Sequence, residues 1–470
     1  MFIETTVDEQ LPWAELAAEL LGTVSRPGQA GYDAVTPWNL AVWPRPGAIV
    51  AVRSADDVAQ TMRWAARYGL RVAVRCTGHA PTVLGPDAIL VDTSALTGLV
   101  IDPVAAVAVV QAGVLWEDVI AAAAKHGLMP VCGSSTKISA VGFLTGGGVG
   151  PMARSLGVGS DRVRRFDVVT GDGTLRRVTA TEHPDLFWGL RGGKSALGIV
   201  VAVEFDLVRI SSFFGGGAYF AAEDLSAVLH AWRSWAQALP EKATTSACIL
   251  RLPDRPDVPR QLAGQTTLAI RFTWLGEHER GRQLAGELLS TATPILGGFE
   301  VAPVAAIAAV HADPVAPIGV REEGFLLDEF TADAVEEIVV ATDHRSETSL
   351  LALEIRQLGG RVSEPPAHPD AFDGRAASWS LLLVGLTEPD PDALDEELVA
   401  IAHRLQRWSH GLAMPNFRPA DDPVAIKRLY RPETLDHLAT LSQRYDPDQV
   451  LDVGRIVRAA ARSAHRQPRW

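Results

Sequence analysis

The segment Val74-Arg75-Cys76-Thr77-Gly78-His79-Ala80-Pro81 sets one glycine and one imidazole in a turn that follows the strand-forming run Val72-Ala73-Val74. Gly78 can take backbone conformations closed to other residues, so the chain can approach a pyrophosphate closely there, with the His79 ring held at the tip. Further on, Gly142-Phe143-Leu144-Thr145-Gly146-Gly147-Gly148-Val149-Gly150 puts three consecutive glycines where a loop is expected to enter a helix. Bare N–H groups would then face an anion. A third constellation is Leu353-Glu354-Ile355-Arg356-Gln357, where period-two alternation sets Glu354 and Arg356 on one face of a strand. Burial of Glu354 would raise its pKa towards that of a general base; a structural Glu354–Arg356 pair is the alternative.

The elements that must position these groups follow from local pattern. Val58, Met62, Ala65 and Ala66 make a helical stripe from Ala55 to Tyr68, opened by Ser54 and closed by Gly69, and a strand from Arg71 to Arg75 follows it. Further strands are expected at Ala88 to Val91, Val107 to Val110, Val163 to Val169 and Ile199 to Phe205, with a helix from Trp116 to His126. The middle of the chain changes character: helix Glu223 to Leu239, strands Thr245 to Arg251 and Thr266 to Trp274, then helix Glu277 to Ser290. Similar alternation recurs at Ser349 to Gln357, Ser378 to Val384 and Pro391 to Trp408, which suits an antiparallel sheet with helices on one layer. The Pro-rich stretches at 252–259 and 364–369 are expected to be surface loops.

Composition narrows the partners. A chain of 470 residues is long enough for more than one domain, and 47% hydrophobic with 21% charged residues is ordinary for a globular protein. The net charge of −13 argues against nucleic acid and anionic lipid, leaving a small molecule as the expected partner. The start, Met1 to Glu9, is acidic and lacks a basic region followed by an apolar run, and no stretch has the length of a membrane span. A cytoplasmic protein is therefore predicted. Cys76, Cys132 and Cys248 are scattered and odd in number, which fits a reducing compartment rather than a disulfide framework, and no ligand spacing points to a structural metal.

The order of motifs resembles the flavin-linked oxidases of the berberine bridge enzyme type, within the vanillyl-alcohol oxidase superfamily. It begins with Trp38-Asn39 and Arg45-Pro46 and runs through the Arg75 to His79 turn, Leu156-Gly157-Val158 and Asp161-Arg162-Val163. Val169-Thr170-Gly171-Asp172-Gly173, His183-Pro184-Asp185-Leu186-Phe187-Trp188 and Arg191-Gly192-Gly193 leading to Gly198-Ile199-Val200 continue it, with Asn416-Phe417 and Tyr445-Asp446-Pro447 near the end. The resemblance implies an α+β fold: a discontinuous PCMH-type FAD-binding domain, residues 1–208 with a returning part at 413–470, and a substrate-binding domain at 209–412 with an antiparallel sheet. It also implies FAD attached through His79. Arg75, Cys76, Thr77, Gly78 and Ala80 would surround that attachment point; Gly133, Ser134, Ser135 and Ile138 would form a second wall, and Gly142, Phe143, Gly146 and Gly150 the glycine-rich one. Val163, Val200 and Asn416 complete the implied cofactor contacts.

Departures from the family pattern sharpen the reading. Relatives often attach the flavin a second time through a cysteine at the position of Ser135; Cys132 stands three residues early, so single attachment is expected. Thr77 stands where glycine is usual, and Phe143 where His or Tyr is frequent. Ile138 occupies the oxygen-gatekeeper position, where Val or Ile accompanies oxidase behaviour, and so implies O2 as electron acceptor. Met414 replaces the tyrosine that would precede Asn416-Phe417 as catalytic base, which leaves Glu354, Arg356 and Gln357, the last in Gln357-Leu358-Gly359-Gly360, as the candidate catalytic set. The implied activity is hydride transfer from a small or medium organic substrate, an alcohol, amine or natural-product intermediate, to covalent flavin and on to O2, giving H2O2. A redox-neutral flavin cyclase or isomerase and a non-catalytic binding protein on the same scaffold are the alternatives. An NAD-binding Rossmann domain fits less well, because no clean strand precedes the glycines and no acidic ribose ligand follows.

Overall fold

The computed structural model describes residues 11–342, 348–419 and 421–464; the acidic start, Met1 to Glu9, lies outside them. The first part of the chain holds two small sheets. One has the order Thr23–Ser25, Ala48–Ala51, Ala88–Asp92, Arg71–Arg75, its last three strands parallel. The other is antiparallel, in the order Leu99–Asp102, Val107–Gln111, Ile199–Asp206, Val163–Val169, Leu175–Thr179. The helix Ala55–Tyr68 forms as its pattern requires: Ser54 Oγ accepts from the Asp57 N–H, Gly69 turns the chain out in the left-handed region at φ 69°, and Val58, Met62 and Ala65 are fully buried. The expected helix from Trp116 to His126 stops at Ala124, because Lys125 and His126 are drawn into a tight turn completed by Gly127 at φ 65°.

The second part is one large antiparallel sheet. Its long strands are β1 (Ser212–Ala221), β2 (Ala243–Arg251), β3 (Thr266–Trp274), β4 (Val320–Leu327), β5 (Leu350–Gln357) and β6 (Trp379–Leu386), in the order β1-β3-β2-β5-β6-β4. Helices Leu225–Ala238, His278–Leu289, Ala332–Ala341 and Pro391–Leu405 cover one face. The first of these starts two residues later than Glu223, after a 3₁₀ turn at Ala222–Asp224. Alternation along each strand sends Phe325, Leu327, Leu353, Ile355, Leu381 and Leu383 into the core under the helices. The other face looks towards the glycine-rich segment: Thr273 Oγ1 donates to the Pro151 carbonyl (2.6 Å), and Leu326 packs with Val149 and Met414.

Two main cores result. One joins residues from Trp13 to Phe213 with Ile426, Leu435, Leu438, Leu451 and Val457 of the closing helices Pro432–Tyr445 and Asp452–Ala464, and the Val72 N–H donates to the Val450 carbonyl (2.7 Å). The other is confined to the sheet and helices from Phe214 to Trp408. Among the described residues no helix is long and apolar enough to cross a membrane.

Candidate active site

The Arg71–Arg75 strand delivers the turn that carries His79. Gly78, at φ 68°, lies so close to the preceding segment that a Cβ there would stand 3.0 Å from Pro37 Cα, and its carbonyl accepts from the Trp38 N–H (3.0 Å). Trp38 in turn packs its ring 4.4 Å from that of His79. Arg75 Nη2 holds the turn from within through the Cys76 carbonyl (3.2 Å), Thr77 is half-buried and Ala80 is exposed. Burial and the nearby Lys194 ammonium depress the His79 pKa, against an opposing pull from Asp313. A neutral imidazole with a free nitrogen lone pair is the form that can attack an electrophile.

The glycine-rich segment is placed differently from the expectation. Its glycines leave a helix rather than enter one: Ala140–Thr145 is the helix, capped at its start by Ser139 Oγ, which takes up the Gly142 N–H (3.4 Å). Gly146, Gly147 and Gly148 follow it, and the last two have φ 88° and 89°. The physical reason for glycine here is crowding. A Cβ on Gly147 would meet the Phe372 ring at 2.5 Å, one on Gly148 the Phe143 ring at 2.4 Å, and one on Gly150 the Cys132 carbonyl at 1.9 Å. A Cβ on Gly146 would strike Asn416 Oδ1 at 2.1 Å. The anion-binding helix N-terminus read from the glycine run is therefore not formed.

What the close approach achieves is a junction of distant segments. Asn416 Nδ2 donates to the Phe143 carbonyl (3.0 Å) while its Oδ1 accepts from Lys194 Nζ. Lys194 was not among the expected site residues. It stands in a left-handed turn at φ 56°, and burial lowers its pKa to about 8. The available signal was a lysine set between Gly193 and the apolar pair Ala196-Leu197, where a solvated side chain has no reason to be. Beside this junction lie Gly133, buried against the Phe143 ring, Ser134 and Ser135, both half-buried, and Ile138, half-buried in contact distance of Gly133. Val163 and Val200 are buried near opposite ends of one strand ladder, Val163 paired with Phe205 and Val200 with Val168.

The strand β5 reaches this junction through Arg356. Its Nη2 lies 3.4 Å from Ser134 Oγ and its guanidinium 4.8 Å from the centre of the Phe417 ring. Glu354 and Arg356 share a face as expected, with Arg356 Nε donating to Glu354 Oε2 (2.8 Å). The expected rise in the Glu354 pKa is reversed. Burial would raise it, but Arg356, Arg271 on β3 (2.5 Å) and His311 (3.4 Å) together hold the carboxylate well below its usual range. Ser246 Oγ adds a hydrogen bond of 2.8 Å. Such a carboxylate is a fixed anion, not a base at neutral pH. Gln357 departs too: its side chain turns to the helix layer, where Nε2 donates to the Ala236 carbonyl (2.5 Å). Arg271, the single charged residue of β3, is a further member of this cluster that strand pattern could have flagged, as it did Glu354 and Arg356.

These features fit a large planar redox cofactor with a pyrophosphate tail. Among the described residues Ser160 Oγ, beside Gly147 and Gly148, and Arg75 Nε are buried without a partner, His79 is neutral, and Lys194 is a half-buried, desolvated cation answered by an amide. An FAD binding domain matches residues 46–179, which include the His79 turn and the glycine-rich segment. Over 438 residues the chain is 26% identical to (R)-6-hydroxynicotine oxidase of Paenarthrobacter nicotinovorans, covering 91% of this chain and 94% of that one. Over nearly its whole length the chain is similar to FAD-linked oxidoreductases. The chain shares its fold with the crystal structure of 6-hydroxy-D-nicotine oxidase from Arthrobacter nicotinovorans, at a TM-score of 0.80, 22% identity and coverage of 93% and 98%. It shares it equally with Physcomitrella patens BBE-like 1, at a TM-score of 0.81, 18% identity and coverage of 95% and 99%. An Acremonium strictum glucooligosaccharide oxidase described with a 6-S-cysteinyl, 8α-N1-histidyl FAD gives 0.79 at 18% identity, covering 94% and 98%.

The two positions that bear on a second flavin attachment are Cys132 and Ser135. Cys132 is fully buried and its thiol is pushed up to about 12, so it presents no thiolate. Ser135 is an alcohol and a poor nucleophile towards an aromatic ring carbon. Mass spectrometry of a tryptic digest is expected to find flavin on the peptide containing His79 alone. A cross-link to Cys132 would overturn the single attachment.

Proposed function

We propose that the protein is an oxidase whose FAD is attached once, through His79, and which oxidises a small or medium organic molecule, an alcohol or amine, with O2 as acceptor. The observation that carries this reading is the neutral, half-buried His79 held by Trp38 and within reach of the Lys194 charge, which Asn416 ties to the glycine-rich segment. Bound FAD would supply acceptance of a hydride from the substrate and delivery of the electrons to O2, giving H2O2. The protein's own groups have simpler tasks. Trp38 and the Gly78 turn fix the imidazole, and Asn416 ties the Lys194 charge to the Phe143 backbone. Arg356 and Glu354 bind the substrate-domain sheet to the Ser134 loop. The two cores support a division into residues 1–208 and 413–470 for the FAD domain and 209–412 for the substrate domain, with Phe213, Val304, Ile307, Val310 and Ala371 of the latter packing into the first core. A cytoplasmic location goes with the same reading and is supported by three free cysteines. The hydroxynicotine named for the relative makes an amine the first substrate class to try.

Ile138 tests the oxidase part without knowledge of the substrate. Its side chain branches at Cβ and carries one δ-methyl where leucine carries two, and that δ-methyl lies against Gly133, next to the Phe143 ring. Light and a sacrificial donor reduce the flavin, and stopped-flow follows its return in air. Ile138→Leu is expected to slow that return about tenfold, a barrier change of roughly 1.4 kcal/mol. Peroxide should form in step with it. Equal rates in the two proteins remove the gatekeeper role, and sluggish return in the wild type, without peroxide, favours the redox-neutral reading.

A further inference from the structure

We propose that Glu322 is the charge-recognising group of the substrate pocket and that the substrate is an organic cation, a protonated amine on an apolar body. The inference rests on the oxidoreductase reading and names its substrate class. Glu322 lies on β4, the edge strand beside β6. Along β4 the residues Val320, Glu322, Gly324 and Leu326 share one face. Gly324 identifies it, since a Cβ there would stand 2.5 Å from the Phe417 carbonyl oxygen, and Leu326 packs with Val149 and Met414. Phe325 and Leu327 point the opposite way, into the helix-covered core. Glu322 therefore faces the side of the sheet that meets the FAD-binding part.

Its neighbours on that face form an apolar floor. Register pairs Glu322 with Val384, Val384 with Ala352 and Ala352 with Leu250, and Leu382 sits in the adjoining row. All four apolar side chains are only half-buried, although their neighbours on the opposite face are fully buried. On either side of Glu322 the strand touches a segment that frames the His79 junction. The Val320 carbonyl accepts from Asn39 Nδ2 (2.9 Å), next to Trp38, and Gly324 abuts Phe417, next to Asn416. Glu322 stands between these two contacts.

The charged residues beside it on β4 and the carboxylate of β5 are answered. Glu323 pairs with Arg418 and Arg428, Arg321 with Asp395 (3.4 Å), and Glu354 with Arg271 and Arg356. Among the described residues Glu322 has no hydrogen bond or ion pair to its side chain, and burial pushes its pKa up to about 7. An unpaired carboxylate against apolar walls is costly, and an incoming cation offsets that cost where a neutral guest cannot. A lone carboxylate lacks the further oxygen ligands a metal ion requires. The net charge of −13 adds a long-range attraction for cations.

The test uses the FAD-loaded protein and four probes that share a benzyl or phenyl body: benzyltrimethylammonium, N-methylbenzylamine, benzyl alcohol and benzoate. Kd is read from titration calorimetry and from changes in flavin absorbance. The wild type is expected to bind the two cations at least about tenfold more tightly than benzyl alcohol, and benzoate most weakly. Glu322→Gln should lose that preference while its affinity for benzyl alcohol stays within about twofold, and Glu322→Asp should keep it. No cation preference in the wild type, or equal loss of all probes in Glu322→Gln, overturns the proposal; the wild-type comparison decides even where the Gln variant does not fold. Flavin content and photoreduction are measured on the same preparations. If both are intact, a negative result falls on Glu322 alone, and if both are lost it is the oxidoreductase reading that fails.

Discussion

After acid precipitation the wild-type protein is expected to carry its flavin in the pellet, and the His79→Ala protein to release all of it into the supernatant. Attachment needs an imidazole that is unprotonated, held in one orientation and adjacent to the ring it attacks. Burial, the first cause of the depressed His79 pKa, keeps the ring neutral, and Lys194 adds to this by repelling a proton. Orientation comes from Trp38, whose ring centre is 4.4 Å away, and from the backbone contact of Gly78 with the Trp38 N–H. Alanine removes the nucleophile and leaves the turn intact, so non-covalent FAD should still bind before denaturation. That separates a lost linkage from a lost fold: visible absorbance of the native variant reports binding, and the pellet reports the bond. Flavin retained in the precipitated variant would place the linkage elsewhere or abolish it as a feature of this site.

Local pattern carried the elements and missed the partners. The Ala55–Tyr68 helix, the strand before His79 and the long strands of the large sheet could be read because capping and periodicity are properties of neighbouring residues. The glycine-rich segment was found and its surroundings misjudged. Its glycines answer to Asn416 and Phe372, more than two hundred positions away, and a run of glycines looks the same whether a phosphate or a phenyl ring comes close. The error at Glu354 has the same origin. Alternation showed Arg356 beside it, but Arg271 and His311 arrive through strand order and a separate segment, and their charges reverse the direction of the shift. Lys194 and Glu322 are ordinary charged residues in sequence. Only desolvation without an opposite charge among the described residues makes them conspicuous.

Glu354→Gln is expected to destabilise the protein by about 3–5 kcal/mol, the range for breaking a buried ion pair by removing one member. The amide keeps the shape of the carboxylate but leaves Arg271 and Arg356 buried, at 6% and 9% exposure, without their shared ion-pair partner, Asp313 acting on Arg271 from beyond ion-pair distance. Ser246 and His311 cannot replace it, since neither carries a negative charge. Urea unfolding of the FAD-loaded protein measures the loss, with sheet unfolding followed through the buried Trp232 and Trp379 of the same core. The pH dependence follows from the depressed pKa. The stabilisation is fully present above the ordinary carboxylate value and is lost as pH falls through the lower folded value, so the gap between wild type and variant should close in acid. Like-charge repulsion makes a further requirement. Adding Arg271→Met to Glu354→Gln removes one of the two opposed guanidiniums, so the double variant should be more stable than Glu354→Gln alone, a coupling of opposite sign to simple additivity. Arg356 would then remain free to hold Ser134 and Phe417. A loss under about 1 kcal/mol for Glu354→Gln, or a double variant less stable than the single one, would mean that the three charges do not act as one unit.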